Sequence, residues 1–203
     1  MNTARERIFG RVRAALAPLK LRAAHPDYAD AIATMTGLPT GDASEQFKAR
    51  LQFVGGRAFD DADALAAWLK VEGYTHGYCD PALWPELTAA FGTEFRVETM
   101  FDRKRVDDYQ FGVTQAAGAI AETGSIILKD ATTSSRLGAL APWVHIAIVS
   151  RQQIFPDVIS AVTSLGNDPN VIWCTGPSKT ADIEGILIQG VHGPGVQIAL
   201  LEI

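Results

Sequence analysis

The stretch Thr175-Gly-Pro-Ser-Lys-Thr-Ala-Asp-Ile-Glu-Gly-Ile-Leu-Ile-Gln-Gly-Val-His-Gly-Pro-Gly195 lies between two runs that have the composition of buried strands. These runs, Val171–Cys174 and Val196–Leu201, are apolar almost throughout, as strands covered on both faces of a parallel sheet are. Two Gly/Pro breaks flank residues 180–188, which we predict as a short helix. The resulting order of strand, helix and strand predicts an α/β fold.

The same alternation of helical and strand-like patterns occurs upstream of this stretch. We predict helices over 42–54, 60–72, 81–91 and 155–165, and strands over 57–59, 75–79, 95–100, 111–114, 125–128 and 143–149. The sequence therefore predicts a mostly parallel sheet flanked by helices, in a domain over 42–203.

Residues 1–41 are predicted to form an N-terminal helical extension and linker, with a short helix near 27–35. Thr3 and Glu6 have the spacing of a capping box, and a basic amphipathic helix follows. Residues 1–22 carry a balance of +5, whereas the remainder carries 12 basic and 22 acidic residues, a balance of −10. Such a helix is suited to a membrane surface or an acidic partner, and a targeting presequence is a weaker alternative. We favour packing on the acidic body of the same chain.

Composition excludes several classes of function. Cys79 and Cys174 are the two cysteines, whereas an iron–sulfur cluster generally takes about four, so we expect no cluster and no metal site in this chain. No apolar run approaches the ~18 residues of a membrane helix, and no signal peptide is recognisable, which predicts a cytoplasmic protein. The acidic body argues against nucleic-acid binding.

Ala121-Glu-Thr-Gly-Ser125 places a carboxylate and two hydroxyls beside a glycine. Glu122 is a candidate general base or nucleophile, while Thr123, Gly124 and Ser125 are candidate substrate contacts. The structural alternative is a glutamate that anchors a neighbouring backbone or pairs with Lys179 or Arg136.

The stretch 175–195 supplies a second group of candidates. Ser178, Lys179 and Thr180 lie at a predicted strand-to-helix turn that is suited to a phosphate or carboxylate, although plain helix capping explains them equally well. Asp182 and Glu184 would then lie in the first helical turn and reduce its attraction for anions. His192 is a candidate acid–base group, with a hydrogen-bonded turn histidine as the alternative.

Two further positions complete the set of candidates. Thr132-Thr-Ser-Ser-Arg136 is either an exposed polar loop or an acid-binding loop in which Arg136 clamps the ligand. Thr114, at the end of a predicted strand, is a candidate substrate contact. His145 lies among apolar residues in mid-strand, and we predict a hydrogen-bonded core histidine there.

Three blocks of this sequence, in register over roughly residues 45–203, carry a resemblance to a known family. The blocks are Phe111-Gly-Val-Thr114 with Ala119-Ile-Ala-Glu-Thr-Gly-Ser-Ile-Ile-Leu128, Pro142 with His145-Ile-Ala-Ile-Val149, and Thr175-Gly-Pro-Ser-Lys-Thr-Ala-Asp-Ile-Glu184 with Gly190-Val-His-Gly-Pro194. They resemble the LUD-domain family, in particular its lactate-utilisation protein C (LutC/YkgG) branch. The sequence departs from this family where Lys179 replaces a frequent Arg and where Gln115–Gly118 lacks an acidic/aromatic pair.

The resemblance implies a NagB/RpiA/CoA-transferase-like α/β fold. It also implies a role in oxidising L-lactate to pyruvate with iron–sulfur partner subunits, together with a small-anion or metabolite site at 122–125 and 178–192. Within that site we assign catalysis to Glu122, Asp182 and His192, and we count Glu184 among the substrate-binding residues. The alternatives are a stand-alone CoA-transferase-like or sugar-phosphate enzyme that uses Glu122, and a non-catalytic scaffold.

Overall fold

The computed structural model describes residues 3–18, 41–130, 132–133, 135–166, 168, 170–181 and 186–201. The chain divides into two compact units, Met1–Gly37 and Leu38–Ile203. In the first unit, helix α1 spans Ala4–Leu16 and begins with the predicted capping box. Glu6 Oε2 accepts the Thr3 N–H at 2.7 Å, and Thr3 Oγ1 accepts the Glu6 N–H at 3.3 Å. The helix predicted near 27–35 lies outside the described residues. The domain boundary predicted between residues 41 and 42 stays a prediction.

The second unit contains five α-helices and twelve strands among its described residues. The helices are α2 (Ala43–Phe53), α3 (Ala62–Val71), α4 (Trp84–Phe91), α5 (Arg136–Leu140) and α6 (Val158–Leu165). The strands are β1 (Arg57–Phe59), β2 (His76–Cys79), β3 (Arg96–Glu98), β4 (Phe111–Gln115), β5 (Gly118–Ile120), β6 (Ser125–Lys129), β7 (Val144–Val149), β8 (Ile154–Phe155), β9 (Val171–Cys174), β10 (Lys179–Ala181), β11 (Leu187–Gln189) and β12 (Val196–Leu201). Among these residues and α1, no helix is long and apolar enough to cross a bilayer.

The main sheet has six strands in the order β1-β12-β7-β4-β2-β3, and every neighbouring pair is parallel. A second sheet has the order β8-β5-β6-β9, with β6 antiparallel to both of its neighbours. The predicted α/β class, with a mostly parallel sheet flanked by helices, is therefore confirmed.

The two faces of the main sheet have separate cores. On the first face, α3 and α4 pack through Leu65, Leu69 and Leu87 against side chains such as Phe111 and Ile146. On the second face, Phe47 and Leu51 of α2 and parts of the second sheet pack against Ala147, Val149 and Ala199. Apolar residues on both faces explain why the central strands are apolar almost throughout.

The main sheet has a topological switch point between β2 and β4. The crossover from β2 to β3 contains α4 on the first face, whereas the crossover from β4 to β7 contains α5 on the second. Parallel strands leave a crevice where crossovers diverge to opposite faces, and ligands of open α/β sheets bind there, outside the carboxyl ends of the strands.

The helix predicted over 180–188 is wrong. Residues 179–181 and 187–189 instead form the antiparallel pair β10–β11, in which Lys179 faces Gln189 and Ala181 faces Leu187. The backbone of Ser178 extends this ladder, because its N–H donates to Pro194 O and its carbonyl accepts the Gly190 N–H, both at 2.9 Å. β-Branched residues such as Thr180 and Ile188 suit extended backbone. The turn at 176–180 is therefore not a helix N-terminus.

Three predicted helix starts are also shifted. The helix after β1 is capped by Asp61 rather than Asp60, whose carboxylate instead pairs with Lys48 and Arg151. Helix α4 begins three residues later than predicted, and α6 begins after Asp157, which accepts the Ser160 N–H. Helices α3 and α6 each begin after the aspartate whose side chain accepts a helix N–H, whereas α4 begins after Leu83 without a side-chain cap.

Candidate functional site

The structure brings the two predicted halves of the site together through a chain of hydroxyls. Ser125 Oγ lies 2.7 Å from Thr123 Oγ1 and 2.7 Å from Thr175 Oγ1. This contact follows from the antiparallel pairing of β6 with β9, in which Ile126 faces Cys174. Thr123, Ser125 and the start of the 175–195 stretch are therefore neighbours, and their predicted role in substrate binding stays a prediction.

Both halves also pack against the C-terminal end of α2. Gly124 has φ +69°, and a Cβ there would lie 2.4 Å from Leu51 N. Gly176 has φ +75°, and its Cβ would lie 2.5 Å from Val54 O. Lys179 is exposed, and its Nζ donates to the same Val54 carbonyl at 3.3 Å. Close backbone packing thus accounts for these glycines, whatever ligand is present.

Glu122 makes the contact of a side chain that anchors neighbouring backbone. Its Oε2 accepts the N–H of Val158, the first residue of α6, at 3.1 Å. Its own N–H donates to Pro156 O at 3.1 Å. A carboxylate at a helix start satisfies an otherwise unpaired N–H and stabilises the helix dipole. The catalytic role assigned to Glu122 stays a prediction.

The Glu122 contact predicts a graded effect on stability. Glu122→Gln keeps an oxygen acceptor for the Val158 N–H, so we expect a loss well below 1 kcal/mol. Glu122→Ala removes the acceptor, and we expect a loss of about 1 kcal/mol. Urea unfolding of the three proteins measures both values. Equal stability of all three would contradict a capping role for this side chain.

The remaining candidates of the 175–195 stretch that the structure describes lie in different surroundings. Ser178 forms backbone hydrogen bonds with Pro194 and Gly190. Thr180 is half-buried in β10, and His192 is exposed between β11 and β12. Asp182 and Glu184 lie outside the described residues. Their predicted roles stay predictions.

The last glycines of the stretch lie at the amino ends of β7 and β12. A Cβ at Gly190 or Gly195 would lie 2.2 Å and 2.3 Å, respectively, from the ring of Trp143. Trp143 immediately precedes β7, and Gly195 immediately precedes β12. This edge is opposite the one at which open parallel sheets bind their ligands.

Thr114 belongs to a buried polar group on the second face of the sheet. Thr114 Oγ1 lies 2.9 Å from His145 Nε2, and His145 Nδ1 contacts the side-chain amide of Gln197. All three residues are buried. Burial lowers the pKa of His145 to about 4, because the charged imidazolium would lose its hydration. The predicted core histidine is confirmed, and Thr114 has no accessible surface for a ligand.

A cavity of about 890 Å³, here called the carboxyl-edge cleft, lies beside the carboxyl ends of β2 and β3 at the switch point. Its apolar lining is Tyr78, Pro81, Met100, Phe101 and Leu137. Its polar lining is Thr99, Arg103, Asp130, Thr133, Ser135 and Arg136. Thr133 Oγ1 donates to the carbonyl of Gln115, the last residue of β4, at 3.2 Å, which fixes this wall to the strand end.

The cleft carries more positive than negative charge. Arg136 donates from Nε to Asp130 Oδ1 at 3.0 Å and from its terminal nitrogen to Oδ2. This guanidinium holds the pKa of the Asp130 carboxyl below its usual value. Within the described ranges, no acidic side chain forms an ion pair with Arg103. Among the described residues, two arginines and one carboxylate therefore line the cleft, and one cation is uncompensated.

The wall that carries Phe101 and Arg103 is held by a network around Glu98. Its carboxylate accepts hydrogen bonds from Arg105 and Tyr109 and contacts His76 Nε2. These contacts, Arg105 foremost, lower the pKa of Glu98 to about 2. The ring of Phe101 stacks on Tyr109 with centroids 4.8 Å apart. The wall is thus ordered by side-chain contacts.

Sequence patterns identified the arginine on one wall of this cleft and missed the opposite wall. Arg136 and its loop were candidates because hydroxyls and an arginine occur together. Tyr78 lies near the end of β2, and Phe101 and Arg103 follow β3, with no motif that joins them. The signal that finds them is the expectation that residues after parallel strands line a crevice.

Both cysteines are free thiols. Burial raises the pKa of Cys79 to about 12 and that of Cys174 to about 11. A thiol is a nucleophile or metal ligand only when it is deprotonated, so neither is activated at neutral pH.

The chain matches known proteins over most of its second unit. The LUD domain matches residues 80–201. A lactate utilization protein C of Bacillus licheniformis is 35% identical over 99 residues, which cover 45% of this chain and 41% of that protein. The protein of the same name from Deinococcus radiodurans is 34% identical over 119 residues, 56% of this chain and 55% of that protein. That of Macrococcus caseolyticus is 28% identical over 182 residues, 79% of this chain and 78% of that protein.

The first of these matches thus spans less than half the length of the relative. One solved structure, a duf162 family protein from Deinococcus radiodurans, superposes with a TM-score of 0.58 at 23% identity. The match covers 81% of this chain and 100% of the solved chain, which supports the α/β fold. Because the LUD domain accounts for more than half of the sequence, the chain belongs to the LUD domain family.

Proposed function

We propose that this protein takes part in lactate utilisation, as a subunit of an iron–sulfur-dependent system that oxidises L-lactate to pyruvate. The observation that carries the proposal is its similarity to several proteins named lactate utilization protein C. The chain has two cysteines, both with raised pKa values, so the iron–sulfur clusters would be held by partner subunits.

We further propose that the carboxyl-edge cleft is the site through which the chain serves this role. Two features support binding of an acidic metabolite there: its position at the switch point, and Arg103, which has no ion-pair partner in the part of the chain that the structure describes. The cluster of Thr123, Ser125 and Thr175 beside Lys179 is the other candidate place for a small anion. Its position at the amino ends of the strands gives it less support.

Growth of the native host tests the proposed role. Deletion of the encoding gene is expected to prevent growth on L-lactate and leave growth on pyruvate unchanged, because pyruvate enters after the oxidation step. Re-expression of the full chain should restore growth on lactate. Normal growth of the deletion strain on lactate would contradict the proposal.

The proposed partners are tested by affinity capture of the tagged chain from lactate-grown cells. We expect iron–sulfur proteins in the eluate, with iron and acid-labile sulfide that are missing when an untagged strain is used. An eluate without iron and sulfide, from cells in which the tagged chain restores growth, would contradict a stable iron–sulfur complex.

A further inference from the structure

The carboxyl-edge cleft is larger than a three-carbon acid requires. Pockets for cofactor-sized or drug-sized molecules typically enclose about 300–1,000 Å³, and this cavity of about 890 Å³ lies near the upper end of that range. Lactate or pyruvate alone would leave most of the space to water. The volume therefore indicates a ligand with several functional parts.

The polar lining is suited to a phosphate. Arg103 lacks an acidic partner within the described ranges, and Arg136 uses two of its N–H donors on Asp130. A guanidinium has five donors, so Arg136 is oriented by Asp130 and retains three for a ligand. Thr99 and Ser135 add hydroxyls to the same lining, whereas the Thr133 hydroxyl already donates to Gln115 O. Arginine with hydroxyl donors is a common phosphate-binding combination.

The apolar lining is suited to a flat ring. Phe101 is half-exposed although it stacks on Tyr109, so part of its ring is available to a ligand. Met100 is 84% exposed and Leu137 is 37% exposed at the same cavity. Apolar side chains with this much exposure gain contact area when a ring covers them.

From the size of the cleft, its two arginines and its aromatic wall, we infer that it binds a nucleotide-type ligand, which joins an aromatic base to a phosphate. In this arrangement the phosphate contacts Arg103 and Arg136, and the base lies against Phe101 and Met100. The inference rests on the cleft proposed above as the functional site, and it adds that the ligand of this site is larger than lactate.

Isothermal titration of the purified full chain tests the inference with a series of probes: L-lactate, inorganic phosphate, ribose 5-phosphate and AMP. We expect affinity to rise along the series and AMP to bind at least about 10-fold more tightly than phosphate, because only AMP uses both walls. AMP that binds no more tightly than phosphate, or does not bind, would overturn the inference.

Three variants locate the binding. Arg103→Gln and Arg136→Gln are each expected to weaken AMP binding by about 10-fold or more, and Met100→Ser should weaken AMP but not phosphate. Lys104→Gln is the matched control, since it removes the same charge from the next residue, which does not line the cleft. Thermal unfolding of each variant confirms that it is folded. AMP binding that survives both arginine changes would overturn the inference. The proposed role in lactate utilisation would be unaffected, because growth of the deletion strain on lactate tests it separately.

Discussion

Replacement of Gly112 by alanine is expected to destabilise the second unit by roughly 3 kcal/mol or more, the upper range for overpacking in a core. The Cβ would lie 1.8 Å from Gly138 O and 2.9 Å from Gly138 C. Both atoms are backbone of α5, which cannot move aside as a flexible side chain does. Since α5 begins at Arg136, its displacement should also weaken ligand binding in the carboxyl-edge cleft.

Urea unfolding of the Gly112→Ala variant measures this loss. Gly41→Ala is the control, because no described atom lies within 4 Å of the added Cβ and the residue has no positive φ. We expect the control to be unchanged or slightly more stable, since alanine restricts the unfolded chain. A Gly112→Ala protein with the unfolding midpoint of the wild type would contradict the packing of α5 on β4.

The second large effect is a loss of stability in acid that originates from His145. The folded protein holds its pKa near 4, below the ordinary value of 6.5, so the unfolded chain binds the proton first as the pH falls. The contribution is therefore fully present above pH 6.5 and is lost progressively down to about pH 4. Between about pH 7 and about pH 5 we expect a loss of about 2 kcal/mol from this residue.

Denaturant unfolding across that pH range separates the contribution of His145 to stability from that of carboxylates, which ordinarily titrate at lower pH. His145→Gln is expected to be less stable at neutral pH, because its fit to Thr114 and Gln197 is changed, and to lose most of the pH dependence. His192→Gln is the matched control, since it removes an exposed histidine that lies outside the buried group of Thr114, His145 and Gln197. A His145→Gln protein with the full wild-type pH dependence would contradict the assignment.

Most of the fold follows from residues that are close in sequence. Apolar runs such as Val144–Val149 and Val196–Leu201 predict central strands, and Asp42 predicts the start of α2; the structure confirms all three. The hairpin of β10 and β11 does not follow in the same way. Its small, charged and aliphatic residues match a short helix, whereas the structure pairs residues 179–181 with residues 187–189, and Ser178 next to this ladder contacts the more distant Pro194.

The candidate site is less predictable, because its walls come from separated segments. Hydroxyls near Ser125 and Thr175 are recognisable in sequence, and the pairing of β6 with β9 brings them together. The glycines beside them suggest a ligand, yet Gly124 and Gly176 lie against the backbone of α2 and the residue that follows it. Arg103 carries no local signal, since its position at the cleft depends on where β3 ends.

The central claim is that the carboxyl-edge cleft serves lactate utilisation. Its most direct test uses the deletion strain with a variant that combines Arg103→Gln and Arg136→Gln, and measures growth of this strain on L-lactate. Strains with the wild-type chain and with Lys104→Gln serve as controls at equal protein level. We predict that the wild type and Lys104→Gln restore growth and that the double variant does not, although thermal unfolding shows that the double variant is folded. Wild-type growth with the folded double variant would contradict the claim.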